Sequence, residues 1–259
     1  MCGITGQLTR SNSDIDLTSS TKSMIEQLTH RGPDDMGIWK DESSGICLAH
    51  RRLSILDLSP HGHQPMCSAD GRFIIAFNGE IYNHVQLRKE LEDVESYSSS
   101  IQWRGRSDTE VMLAAISHWG VYEATKRFTG MFSFALWDRN ERSLYLVRDR
   151  VGEKPLYFGW VGETLLFGSE LKALRSHPNW RGEIDRDALA LYMQFNYIPA
   201  PYSIYKSIKK LEPGCITKIS ENGSMDDVEL QRYWSLQDMV AQPRQNISDI
   251  AAIEQTESI

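Results

Sequence analysis

The chain has 259 residues, 41% of them hydrophobic and 24% charged, the make-up of an ordinary globular protein with room for one or two domains and not of a disordered or fibrous chain. Lysine and arginine number 28 against 35 aspartates and glutamates, a formal charge of -7 whose sign is wrong for gathering phosphates, so nucleic acid is not an expected partner. No apolar run approaches the roughly 20 residues of a membrane span and no secretory leader opens the chain, so the expectation is a cytoplasmic protein with no membrane partner.

Leu17, Met24, Ile25 and Leu28 recur at helical spacing until Gly32-Pro33, which cannot continue a helix; this predicts a first helix. Phe73 to Phe77 is a short run apolar on both faces and predicts a strand covered on each side. A short helix from about Val85 to Leu91 follows Asn83. Ser107 with Glu110 three residues on predicts a capping box, Met112, Ala115, Ile116 and Trp119 line one helical face, and Gly120 closes it. Further strands are expected at Phe132–Trp137, Leu144–Val147, Leu156–Trp160 and Leu165–Phe167. Asp138 to Glu141 and Val161 to Thr164 join neighbouring strands by links too short for parallel crossovers, so the pairing is antiparallel. The expected fold class is α+β, a layered sandwich of antiparallel sheets.

From about Asp185 the character changes. Arg186 to Phe195 reads as a helix, a loop with Pro199 and Pro201 follows, and Asn222-Gly223 turns a hairpin between Ile216–Ile219 and Val228–Trp234. From Ser235 onward the chain is polar with little periodicity and reads as a frayed linker. The expected organisation is therefore residues 1–184 as the main domain, 185–234 as an extension and 235–259 as a polar linker or tail.

Four cysteines, at 2, 47, 67 and 215, are too few and scattered for a disulfide framework, and no C-x-x-C pair offers a zinc site. Three read as small buried hydrophobes. Cys2 is different: loss of Met1 would leave a thiol and a free α-amino group on one residue, and an amine of pKa about 8 is a ready general base. His30, His50, His61 and His63 lack metal-ligand spacing and read as structural, so no metal is expected. Asn78-Gly79 follows an apolar strand, where the glycine permits a sharp turn and the Asn amide and Gly N–H can aim at one spot; the same dipeptide also reads as a plain type I′ hairpin turn.

Five segments stand in order: Met1-Cys2-Gly3-Ile4-Thr5-Gly6, His30-Arg31-Gly32-Pro33-Asp34, His50 to Asp57 with Gln64-Pro65-Met66, Phe77 to Asn83, and Ser107-Asp108-Thr109-Glu110. Together they resemble the glutaminase domain of class II glutamine amidotransferases, most closely the N-terminal half of glutamine-hydrolysing asparagine synthetases. Gly152 to Tyr157, Gly168 to Leu174, Asn196 to Pro201 and Leu211 to Gly214 extend the resemblance over nearly the whole chain. It implies an N-terminal-nucleophile hydrolase fold, a four-layer α/β/β/α sandwich of two antiparallel sheets. It assigns Cys2 as the nucleophile forming a thioester, Asn78 and Gly79 as the oxyanion donors, Arg52 as the clamp on the glutamine carboxylate and Asp108 as the acceptor for its ammonium. Glu80 adds a second acceptor there, and Leu53 and Ile55 offer backbone contacts.

The resemblance further implies glutamine as substrate and a synthetase domain, normally in the same polypeptide, that joins the ammonia to aspartate with ATP and Mg²⁺. The S-G-G-x-D-S loop of that domain is absent from these residues, so no cofactor is expected in this chain. Two other readings stay open: the same glutaminase serving a sugar acid or other acceptor in polysaccharide synthesis, and a non-catalytic amino-acid-binding domain.

Overall fold

The computed structural model describes residues 1–9, 16–54, 59–94, 103–224, 227–241 and 248–257. Two antiparallel sheets of six strands stack face to face. The first has the order β10 (Ile208–Lys210), β8 (Tyr157–Val161), β9 (Thr164–Gly168), β1 (Gly3–Thr9), β3 (Ile46–Arg52), β2 (Asp35–Asp41). The second runs β12 (Glu229–Arg232), β11 (Cys215–Ser220), β7 (Ser143–Arg148), β6 (Gly130–Asp138), β5 (Phe73–Ile81), β4 (Met66–Cys67). The four-residue links expected between β6 and β7 and between β8 and β9 do join antiparallel neighbours.

Side-chain alternation makes each sheet two-faced, and three apolar clusters fill the layers. Between the sheets lie Ile4, Leu8 and Leu48 against Ile74, Ala76, Trp137 and Leu146. On the outer face of the second sheet, Phe73, Ile75 and Phe77 meet α2 (His84–Glu92), α3 (Asp108–Trp119) and α4 (Val121–Arg127) through Leu87, Met112, Ile116 and Ala124. On the outer face of the first, Ala49 and Leu166 meet Met24 and Ile25 of α1 (Leu17–Glu26) and Leu174 of α5 (Leu171–Arg175). The double-sided run Phe73 to Phe77 thus serves two cores, and the architecture is the expected α/β/β/α sandwich.

Several local expectations are refined. α1 starts where the Asp16 carboxylate accepts the N–H groups of Thr18 and Ser19, at 2.9 and 3.2 Å. Ser107 does cap α3, its hydroxyl accepting the Glu110 N–H at 3.3 Å, but the Glu110 carboxylate turns to the N–H groups of Arg104 (2.7 Å) and Gly105 (3.0 Å) instead of Ser107. The capping box is half formed because the preceding loop offers its own unpaired donors. Residues 185–234 add α6 (Arg186–Phe195) and the strands β10, β11 and β12, so this stretch completes both sheets. The polar stretch after Ser235 contains two helices, α7 (Leu236–Ala241) and α8 (Asp249–Glu257). Ser235 starts α7 by accepting the Asp238 N–H at 3.0 Å, a local cap that polarity alone did not reveal.

One buried carboxylate organises the corner where β6 and β7 approach the end of β8. Asp149 is fully buried; its oxygens accept N–H groups from Val151 (3.2 Å), Glu153 (2.9 Å), Phe132 (3.2 Å) and Lys154 (3.0 Å). Asp149→Ala strips four backbone donors of their acceptor, and urea unfolding should show a loss of about 3 kcal/mol or more. Asp149→Asn, which keeps one accepting oxygen, should lose less.

Candidate active site

The register of β1 on β3 pairs Gly3 with Arg51, so Cys2 lies beside the end of β3. Its Sγ accepts the Leu53 N–H at 3.4 Å and approaches the Leu53 carbonyl oxygen at 3.7 Å. Arg31 Nε donates to the Cys2 carbonyl at 2.9 Å, and Arg31 Nη1 to Glu170 at 2.9 Å. Burial opposes ionisation of Glu170, yet hydrogen bonds from Arg31, His30 and Lys172 hold its carboxyl at about 2, so the strut on Cys2 is charged at any physiological pH. The loop Arg31 to Asp34 therefore lies against Cys2, and Asp34 also accepts the Ser54 N–H at 2.8 Å.

The opposite wall is β5, and here the structure corrects the turn expected at Asn78-Gly79. The pair does not turn; β5 continues extended to Ile81, with Asn78 opposite Ser133 and Gly79 opposite Phe132. Phe132 spends its N–H and carbonyl on Asp149, on the far side of β6. In an antiparallel ladder its partner Gly79 must then point its own N–H and carbonyl away from β6. Phe77 and Ile81, two residues either way, obey the same rule. The Phe77 N–H goes to Gln64 Oε1 at 2.7 Å and the Ile81 N–H to Asp108 Oδ2 at 3.0 Å. The Gly79 N–H faces the cavity between these two. A Cβ at residue 79 would come within 2.2 Å of the Met131 carbonyl oxygen and 2.7 Å of Phe132 Cα, so close strand approach, not a positive φ, demands the glycine. Asn78 is 1% exposed, and neither its Nδ2 nor its Oδ1 has a hydrogen-bond partner. A buried amide left unpaired on a cavity wall is a donor waiting for a ligand.

The cavity, about 110 Å³, is lined by Cys2, Arg52, Leu53, Asn78, Gly79, Glu80 and Asp108, together with Met1, Gln64, Met131 and Lys154. A larger cavity of about 940 Å³ lies by Trp160 and Trp180 and holds none of these groups. Of the residues expected in the site, all but one are thus brought together; Ile55 lies outside the described residues. Arg52, not its neighbour Arg51, lines the cavity, as alternation along β3 requires. Its Nη1 donates to the Ser59 carbonyl at 2.9 Å, and Gly62 leaves the room: a Cβ there would sit 2.0 Å from Arg52 Nη2. Asp108 accepts the N–H groups of Ile81 and Thr109, yet burial outweighs these bonds and raises its carboxyl above the ordinary range. Burial likewise pushes the Cys2 thiol up, against the Leu53 N–H, the terminal amine and Arg52, which pull it down.

Sequence reasoning missed Gln64 and misjudged how much His50 matters. Gln64 accepts the Phe77 N–H and donates to Thr109 Oγ1 at 3.3 Å, tying β5 to α3. His50 on β3 donates through Nε2 to the Phe77 carbonyl at 2.9 Å and so stitches one sheet to the other beside the site. Burial keeps its ring neutral, with the pKa lowered to about 4. Cys47 and Cys215 are buried as expected, whereas Cys67 on the short edge strand β4 is only half-buried.

A cysteine beside the head of a central strand faces the Asn78 amide and the Gly79 N–H across two stacked antiparallel sheets. The structure solved as "the allosteric regulatory enzyme of purine biosynthesis" has the same fold: TM-score 0.65 at 18% identity, covering 90% of this chain and 49% of that one. The family model of the glutamine amidotransferase domain matches residues 1–234, and the chain belongs to that family. It is 38% identical to asparagine synthetase [glutamine-hydrolyzing] 1 of Bacillus subtilis, over 90% of this chain and 35% of that protein. It is 34% identical to the putative asparagine synthetase [glutamine-hydrolyzing] 2 of Methanocaldococcus jannaschii, over 92% of this chain and 47% of that protein. The chain thus spans between a third and a half of the relatives it matches. No helix among the described residues is long and apolar enough to cross a membrane.

The close approach of β5 and β6 gives a direct test. Gly79→Ala should force the strands apart, lower unfolding free energy by about 1–3 kcal/mol and abolish amide hydrolysis even where the variant remains folded, read by urea titration and ammonia release.

Proposed function

We propose that this chain hydrolyses the side-chain amide of glutamine to glutamate and ammonia through a Cys2 thioester. The observation that carries the reading is the unpaired, buried Asn78 amide beside the inward-facing Gly79 N–H, on the cavity that Cys2 lines. With Met1 removed, the α-amine of Cys2 takes the thiol proton, and Sγ attacks the amide carbon. The oxyanion that forms accepts from Asn78 Nδ2 and the Gly79 N–H. The amine returns the proton to the leaving nitrogen, ammonia departs, and a water activated by the same amine hydrolyses the thioester. A thiol raised by burial is protonated at neutral pH, so an adjacent base is a chemical necessity here. Arg52 pairs with the α-carboxylate of glutamine and Asp108, assisted by Glu80, with its ammonium.

In the same proposal the ammonia serves a synthetase part of the same polypeptide, which converts aspartate to asparagine and alone needs ATP and Mg²⁺. The names and greater length of the relatives support this, as does α6, which buries only Ala188 and leaves Leu189, Tyr192, Met193 and Phe195 exposed for a covering partner. The intact set Cys2, Arg52, Asn78, Gly79 and Asp108 favours turnover over mere amino-acid binding. The cytoplasm is the compartment we assign to such a biosynthetic enzyme.

Purified protein whose N-terminus is Cys2 by intact mass should release ammonia from glutamine, and Cys2→Ala should release none; glutamine binding without release would leave only a binding domain. Asn78→Ala should lower kcat by about 10²-fold with little change in KM. Arg52→Ala and Asp108→Ala should chiefly raise KM. Because Asp108 must be ionised to hold the ammonium and burial raises its pKa, KM should climb on acidification before the ordinary carboxylate range is reached, and Asp108→Asn should remove that dependence.

A further inference from the structure

Lys154 is 5% exposed and is one of the residues that line the Cys2 cavity. The hydrogen-bond partner of that ammonium is the Met1 thioether, at 3.4 Å, and no described carboxylate lies within ion-pair distance of it. Lysines are almost never buried without an anionic partner, so this one is expensive to keep. Its backbone is nevertheless fixed on both sides: the Lys154 N–H donates to Asp149 at 3.0 Å and its carbonyl accepts from Arg148 Nε at 2.8 Å. The Asp149 oxygen that fixes it also holds Phe132, the residue facing Gly79. Removal of Met1 takes away the thioether and leaves the cation facing the new terminus, within about 10 Å of the Cys2 nitrogen by covalent geometry.

Building on the glutaminase reading, we propose that Lys154 is a positioning residue whose buried positive charge keeps the α-amine of Cys2 in its unprotonated, proton-accepting form. A like charge in a poorly solvated pocket disfavours the ammonium form of its neighbour. Among the described residues the other charged groups around the terminus are Arg31 and Arg52, which act in the same sense, and Glu80 and Asp108, which oppose it. Glu170 is taken up by Arg31, and Asp149 by four backbone N–H groups. Lys154 is the cation of this group whose side chain donates to no oxygen among the described residues. The charge thereby balances the two carboxylates that glutamine recognition requires, which would otherwise favour the protonated, inactive amine.

The test is the titration midpoint of the α-amine, from competitive acetylation across pH read by mass spectrometry, in processed Cys2→Ser protein where no thiol competes. Lys154→Met and Lys154→Gln should raise the midpoint by about one pH unit, and Lys154→Arg should leave it at the parent value. With Cys2 intact, the ratio of the glutaminase rate at pH 6 to that at pH 8.5 should fall about tenfold in Lys154→Met and recover in Lys154→Arg. A midpoint that does not move in the neutral variants overturns the inference. So does a rise in glutamine KM at every pH with the midpoint unmoved, which would make Lys154 a substrate contact. Absence of ammonia from the parent protein would refute the glutaminase reading, while the acetylation midpoint would still decide the role of Lys154.

Discussion

The site depends on the free edge of β5. Beyond the two-residue strand β4, the N–H groups of Phe77, Gly79 and Ile81 face away from β6 with no strand among the described residues to receive them. Unpaired donors in a protein interior need acceptors, and the fold supplies side chains: Gln64 for Phe77 and Asp108 for Ile81. Gly79, between them, faces the nucleophile. One geometric fact, a ladder that stops short, therefore supplies the donor proposed for the oxyanion, orients the carboxylate proposed for the substrate ammonium and sets the two about two residues apart along one strand. His50 then locks this edge to the first sheet, where Cys2 resides, so nucleophile and donors keep their spacing.

The electrostatics follow from burial. Cys2 and Asp108 are both pushed toward their neutral forms, the thiol against nearby cations and the carboxyl against two N–H groups. Such a site is poised, not relaxed: in the glutaminase we propose, the substrate brings an ammonium that restores the charge of Asp108, a carboxylate for Arg52, and an amide oxygen for the orphan Asn78 donor. In that proposal ligand and pocket satisfy each other's buried polar groups, which gives selectivity for an amino acid carrying a side-chain amide.

Much of this was legible in the residues. Double-sided runs such as Phe73 to Phe77 marked the stacked sheets, and short links fixed the antiparallel pairing. The strands β2 and β3 were not legible. Gly37, Lys40 and the aspartates of β2 interrupt any period-two apolar pattern, and the ending His50-Arg51-Arg52 of β3 is wholly polar, although His50 and Arg52 are both buried. Such buried polar residues earn their positions through long-range partners, Phe77 and Ser59, which local periodicity does not encode. Asn78-Gly79 misled for a related reason. The dipeptide favours a turn locally, but pairing with Ser133 and Phe132, more than fifty residues away, keeps it extended. The sequence segment that held Gln64 was recognised; its role was visible only once the unpaired Phe77 N–H was seen. Lys154 gave no signal beyond its place in a recognised segment, because burial without an ion-pair partner is a property of the folded state.

The cavity, in the function proposed, delivers a glutamine side chain to Cys2. The most direct measurement is covalent trapping of processed protein with a diazoketone analogue of glutamine, followed by peptide mass spectrometry. One equivalent of adduct should form on Cys2, slowed by glutamine and lost in Arg52→Ala at low reagent concentration. Adduct on the half-buried Cys67, or labelling of Cys2 that glutamine does not slow, would contradict it.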